Sequence, residues 1–154
     1  MSAILDFYRG AGTGGGRTFD QILALDDFLM ERVHDWLQWG FPLPEASKAQ
    51  PKSPVLTPED IEAFKVDPEL QAQVRLMQAR YTLFLHNTTD WKDRYDHNHL
   101  RITRVLRFLT LIGMQSEAQT LYQMLTAEHP GLPAKTEWFW QEAMTLEPAW
   151  LTEP

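Results

Sequence analysis

The densest run of groups able to do chemistry is Asp90-Trp91-Lys92-Asp93-Arg94-Tyr95-Asp96-His97-Asn98-His99. Aspartate and histidine are metal ligands and proton carriers by type. His97 and His99 stand two residues apart. On a helix that spacing turns them about 200° from each other, so they do not chelate one ion together. The His-Asn-His string is not the nuclease motif of the same letters, whose members are spread over a hairpin and a helix. His34-Asp35 is the second pair of interest. Such a pair on a helix belongs to metal-dependent phosphohydrolases, which need a further histidine upstream. His34 is the first histidine in this chain. A metal-dependent or His/Asp hydrolase is thus the alternative reading, and its chemistry falls to Asp35, Asp96, His97 and His99, with His34 beside them. Ser2, Ser47, Ser53 and Ser116 sit in no nucleophile elbow.

Cation chemistry is the stronger theme. On a helical wheel, Ile102, Val105, Leu106, Leu109 and Ile112 form an apolar face, and Asn98 falls near the middle of it. Arg101 lies at the edge of that face, with Arg104 close by. A buried arginine must be paired, because an unpaired buried charge is costly. Asp35, Asp93 or Asp96 supplies the partner, or a ligand anion does. Residues 92–107 hold five Lys and Arg against two Asp, a local +3 in a chain of net charge −7. As a nucleic-acid site this island is small and lacks a basic surround. The expected site is a groove bounded by His34, Gln38, Trp39, Trp91, Arg94, Asn98, Arg101 and Arg104. Arg101 and Arg104 hold an anionic or peptide ligand there, and the tryptophans supply apolar contact.

The elements that position these residues read as helix after helix. Ser2 caps a short first helix. Gly10 to Gly16 spells a dinucleotide fingerprint by accident, since no strand precedes it, and residues 10–17 read as a flexible connector. Thr18 with Gln21 forms a capping box. Asp26 caps a helix to about Gln38, with Leu29, Met30, Val33, Trp36 and Leu37 on its apolar arc and His34 on the other side. The proline-rich stretch from Phe41 to Pro58 is an irregular crossover. Thr57-Pro58-Glu59-Asp60 and Asp67-Pro68-Glu69 open two further helices. Asp96 caps a helix ending at Gly113, Ser116 with Gln119 boxes the next, and Thr136 starts the last. Nothing alternates with period two. The expected fold is all-α: one domain over 1–154, about six or seven helices, no sheet, and a tail at 148–154.

Composition bounds the rest. The chain has 154 residues, 44% hydrophobic and 23% charged, enough for a buried core without staples. Zero cysteine excludes a disulfide framework, a thiolate zinc site and a cysteine nucleophile. It fits a reducing compartment, so the expected location is cytoplasmic. No apolar stretch reaches the roughly 18 to 20 residues of a membrane helix. The acidic balance argues against nucleic acid as a partner. No cofactor is expected. Self-association through an exposed tryptophan patch is the scaffold alternative.

Two strings stand out together. His34-Asp35-Trp36-Leu37-Gln38-Trp39-Gly40-Phe41-Pro42-Leu43 and Asn98-His99-Leu100-Arg101-Ile102-Thr103-Arg104-Val105-Leu106 resemble the conserved region of the opioid growth factor receptor family. Leu56-Thr57 with Ile61-Glu62-Ala63-Phe64 and Trp91 with Arg94 extend the likeness, which runs from about Ile4 to Met144. Trp36 stands where the family has tyrosine, and Gly40 where it has leucine. The resemblance implies a short form, expected to lack the repeat-bearing C-terminal tail of the larger receptors. The resemblance implies a receptor-like, non-enzymatic module, since vertebrate members are described as receptors for an enkephalin-type peptide. It supplies no catalytic residue.

Overall fold

The computed structural model describes residues 2–151. Nine α-helices form among them, no strand does, and the backbone contacts cluster into two compact units, residues 1–88 and 89–154. The all-α expectation holds. No helix of the described residues is long and apolar enough to cross a membrane.

The first unit holds α1 (Ala3–Tyr8), α2 (Phe19–Leu23), α3 (Asp27–Arg32), α4 (Leu37–Gly40), α5 (Pro58–Val66) and α6 (Pro68–Asn87). The start signals act as the sequence indicates. Ser2 and Asp26 accept from Leu5 N and Leu29 N, and Thr18–Gln21 and Thr57–Asp60 form reciprocal capping boxes. These bonds satisfy amides that a helix start leaves open. Helix α6 is the spine, and α2, α3 and α5 pack on it. It buries Leu70, Val74, Met77, Tyr81, Phe84 and Leu85. An aromatic cluster fills the space around α1: Tyr8 meets Phe19 and Phe64 at centroid distances of 5.2 and 5.0 Å. The Tyr8 hydroxyl donates to the Gly40 carbonyl, and Gln73 reaches back to the Tyr8 carbonyl at 3.0 Å.

The single helix expected from Asp26 to Gln38 is broken. Val33 adopts an extended conformation (φ −84°, ψ 124°), and the chain turns before α4. The break lets Trp36 sink fully into the core, beside Tyr81 at 5.9 Å. Its indole N–H donates to the Met30 carbonyl in the last turn of α3. Leu29, assigned to the apolar arc, is exposed, whereas Met30 and Leu37 are buried.

The glycine run is tied down rather than a loose connector. Gly14 and Arg17 exchange two backbone bonds, of 2.7 and 3.1 Å. Gly15 and Gly16 turn the chain with positive φ, which glycine adopts without steric penalty. A Cβ on Gly14 would lie 2.5 Å from the Trp39 ring. Only glycine lets that backbone rest on the indole.

In the second unit a 3-10 turn (Asp90–Lys92) precedes α7 (Asn98–Leu111), α8 (Gln115–Glu128), α9 (Ala134–Ala143) and a further 3-10 turn (Ala149–Leu151). Helix α7 is central and packs on α8, α9 and the first 3-10 turn. Its predicted apolar face is buried, and Phe108 and Thr110 are buried as well. Gly113, at φ +84°, ends it in a Schellman turn, with Met114 N bonded to Leu109 O at 2.8 Å. That turn feeds directly into α8, so Met114 takes the cap position and Ser116 lies inside the first turn. Likewise α9 starts at Ala134 behind Pro133, two residues before Thr136.

Candidate ligand-binding groove

A groove of about 500 Å³ opens in the second unit between the first turns of α7, the loop before it and the start of α9. Tyr95 and Leu100 line it and are 83% and 76% exposed. Both side chains are left open beside the concavity, outside the folding core. Phe139 and Trp140 line it from α9, and Arg94 and Lys135 bring positive charge to it.

His99 forms its fixed inner wall. The residue is 9% exposed, and its Nε2 lies 2.6 Å from the Trp91 carbonyl. A carbonyl oxygen can only accept, so Nε2 carries the hydrogen and Nδ1 of the neutral ring is an acceptor. Nδ1 has no hydrogen-bond partner among the described residues. The His99 carbonyl accepts from Trp140 Nε1 at 3.1 Å and from Thr103 Oγ1 at 3.0 Å. The Trp140 and His99 rings meet edge to face at 5.9 Å. One histidine therefore joins the 3-10 turn, α7 and α9, and the wall it builds is rigid.

The charged rim is less constrained. Arg94 lies over the Tyr95 ring, its guanidinium carbon 5.7 Å from the centroid. Among the described residues neither Arg94 nor Lys135 forms an ion pair. No side chain caps α9, because Pro133 stands at the cap position. The amides of Ala134, Lys135 and Thr136 thus open a helix whose start carries partial positive charge. Glu137 in the same turn offsets part of it.

Of the eight residues expected to bound a groove, Arg94 lines this one. Trp91 is fully buried and meets His129 edge to face at 6.3 Å. Asn98 and Arg101 are buried, Arg104 is half-buried, and each of the three has a partner within the protein. In the first unit His34 is exposed in the turn after α3, and Gln38 is buried in α4. Trp39 is half-buried against Phe7, 5.7 Å away, and against the Gly14 backbone. The acid–base set is likewise occupied. Asp35 pairs with Arg17 at 3.2 Å. Asp96 accepts from Asn98 N at 3.0 Å and faces His97 Nδ1 at 3.5 Å. Tyr95, Leu100, Lys135 and Phe139 were missed by sequence reasoning. Tyr95 lies in the loop before α7, Leu100 on α7, and Lys135 and Phe139 on α9, and no motif or apolar periodicity marks them.

Residues 18–133 match the family model described as the opioid growth factor receptor (OGFr) conserved region. The chain belongs to that family. It is similar to the opioid growth factor receptor of Rattus norvegicus, 29% identical over 118 residues, which cover 65% of this chain and 20% of that protein. The Mus musculus receptor gives the same identity and length, covering 18% of its own chain. The Homo sapiens receptor is 30% identical over 105 residues, 56% of this chain and 15% of that one. The chain thus spans a fifth or less of these opioid growth factor receptors. No solved structure matches it. Of the groove, the 94–103 wall and Pro133 lie inside the matched region, and the rest of the α9 wall lies outside it.

Proposed function

We propose that this member of the opioid growth factor receptor conserved-region family is a non-enzymatic, soluble, intracellular module that binds a peptide ligand in the α7–α9 groove. One observation carries the reading: exposed apolar side chains and cations without ion-pair partners share one concavity with a rigid wall. Apolar side chains of a peptide seat on Tyr95, Leu100 and Phe139, and its negative charge meets Arg94 and Lys135. The relatives' name, receptor, supports ligand binding as the task. Zero cysteine supports a reducing compartment. Asp35, Asp96 and His99 each use an atom to hold the chain, which favours binding over catalysis.

The test is selection of peptides from a displayed library whose carboxyl ends are joined to the carrier. The selected peptides are then measured on the Tyr95→Ala/Leu100→Ala variant. Both side chains are exposed, so the variant keeps its fold. Loss of binding by about tenfold or more supports the groove. Unchanged binding removes it.

A second reading rests on a patch that adjoins the groove at Phe139. Trp138, Phe139 and Trp150 form a ring cluster with centroid distances of 4.9 to 6.5 Å, and Trp138 and Leu146 are exposed. That surface suits a scaffold that pairs with another protein. Light scattering tests self-association, and a monomer at high concentration removes the dimeric form of this reading.

A further inference from the structure

The groove's polar groups differ in sign and are arranged on two walls. His99 is nine-tenths buried and offers Nδ1 as an acceptor, with the ring held by the Trp91 carbonyl. His99 lines the groove, and an acceptor there can take a hydrogen bond from a ligand donor. Lys135 and Arg94 offer donors and positive charge, and the uncapped amides of Ala134, Lys135 and Thr136 add more. Glu137 lies in the same helical turn. Two cations against that carboxylate favour a single negative charge over the double charge of a phosphate. Tyr95, Leu100 and Phe139 add an apolar surface between these polar groups.

One common chemical unit carries a donor, a single negative charge and an apolar side chain on one carbon. That unit is the last residue of a peptide. Resting on the groove reading above, we infer that the groove captures the C-terminal residue of a peptide that ends in an apolar side chain. The terminal carboxylate sits between Lys135, Arg94 and the open start of α9. The terminal amide N–H donates to His99 Nδ1, and the side chain lies against Leu100 and Phe139. Capture of a chain end by backbone amides and a cation is a recurring mode of peptide recognition.

The experiment follows backbone amide shifts of the full chain by NMR with three probes. They are N-acetyl-leucyl-phenylalanine with a free carboxyl end, its C-terminal amide, and N-acetyl-glutamyl-phenylalanine amide, whose carboxylate is on a side chain. The free acid is expected to shift the Ala134, Lys135 and Thr136 amides. The amide should bind about tenfold more weakly or worse, the size of one lost charge-assisted contact. Lys135→Glu should erase the preference for the acid without unfolding the chain, because Lys135 is exposed. Equal binding of acid and amide overturns the inference and leaves the groove reading standing. A glutamyl probe that matches the free acid overturns the terminal source of the carboxylate. Inorganic phosphate that competes more strongly than acetate overturns the single-charge assignment. If no probe shifts these amides the inference fails, while the library with joined carboxyl ends still judges the groove on its own.

Discussion

The Trp36 indole donates to the Met30 carbonyl at 3.0 Å, across a helix that has ended at Arg32. This bond ties the buried indole to the end of the helix that precedes it. It also explains why the segment His34-Asp35 is a turn and not a helical face. The tryptophan is used for its N–H as well as for its bulk.

Trp36→Phe keeps an aromatic ring but removes the donor and some volume. Stability should fall by about 1 to 3 kcal/mol. Urea unfolding measures it, and an unchanged midpoint would show that the turn is held by other groups.

Gly14→Ala places a Cβ where the Trp39 ring already lies, at 2.5 Å. The backbone there is pinned by its two bonds to Arg17, so it has little room to withdraw. A loss of about 1 to 3 kcal/mol is expected. In a Trp39→Ala background the same substitution should lose most of its effect, which a double-mutant cycle reads directly.

Tyr8 gives stability a dependence on alkaline pH. Full burial pushes its phenol far above the usual tyrosine value, so the folded protein keeps it neutral. The unfolded chain releases that proton above about pH 10. The folded state therefore binds more protons there, and stability is present below pH 10 and falls as pH rises. The slope from this group is about 1.4 kcal/mol per pH unit. Tyr8→Phe should lose the bond to the Gly40 carbonyl at neutral pH and flatten the decline above pH 10. Stability curves from pH 8 to 11 check both effects.

Asp67 behaves in the opposite sense. The Arg9 side chain hydrogen-bonded to it at 3.1 Å, together with the Glu69 backbone N–H, lowers its carboxyl below the usual range. Its stabilising contribution is present above the ordinary carboxylate pKa and is lost as pH falls through the lowered one. Arg9→Gln should move the Asp67 titration upward, as followed by NMR of the carboxyl carbon. An unmoved titration would assign the lowering to the helix start alone.

The helix starts were legible because each is a local transaction. A hydroxyl or carboxylate three residues ahead of an open amide needs no knowledge of the rest of the fold. Thr18, Asp26 and Thr57 follow that rule, and Asp67 does the same with the amide two residues on. The break at Val33 was not legible, because its cause is the burial of Trp36 beside Tyr81, forty-five positions away in the chain. The same limit applies to the glycine run, whose order depends on Trp39. Of the groove's lining, the sequence singled out Arg94 as a ligand contact and His99 as an acid–base residue. Residues that build a groove by remaining exposed, such as Tyr95 and Leu100, leave no periodic trace. Ser116 and Thr136 looked like caps because the type was right, but Gly113 and Pro133 had already set the helix starts.

On the proposed reading, the groove separates what fixes its shape from what would meet a ligand. His99 and Trp140 are buried and bonded, and a change in either disturbs the packing of α7 on α9. Tyr95, Leu100 and Lys135 lie at the surface, where substitutions shift stability by only about 0.5 kcal/mol. If the groove takes a peptide as proposed, its preference can therefore drift across generations at nearly constant fold stability. The α9 wall, mostly outside the family-matched region, is the place where two descendants of one ancestor would first come to bind different things.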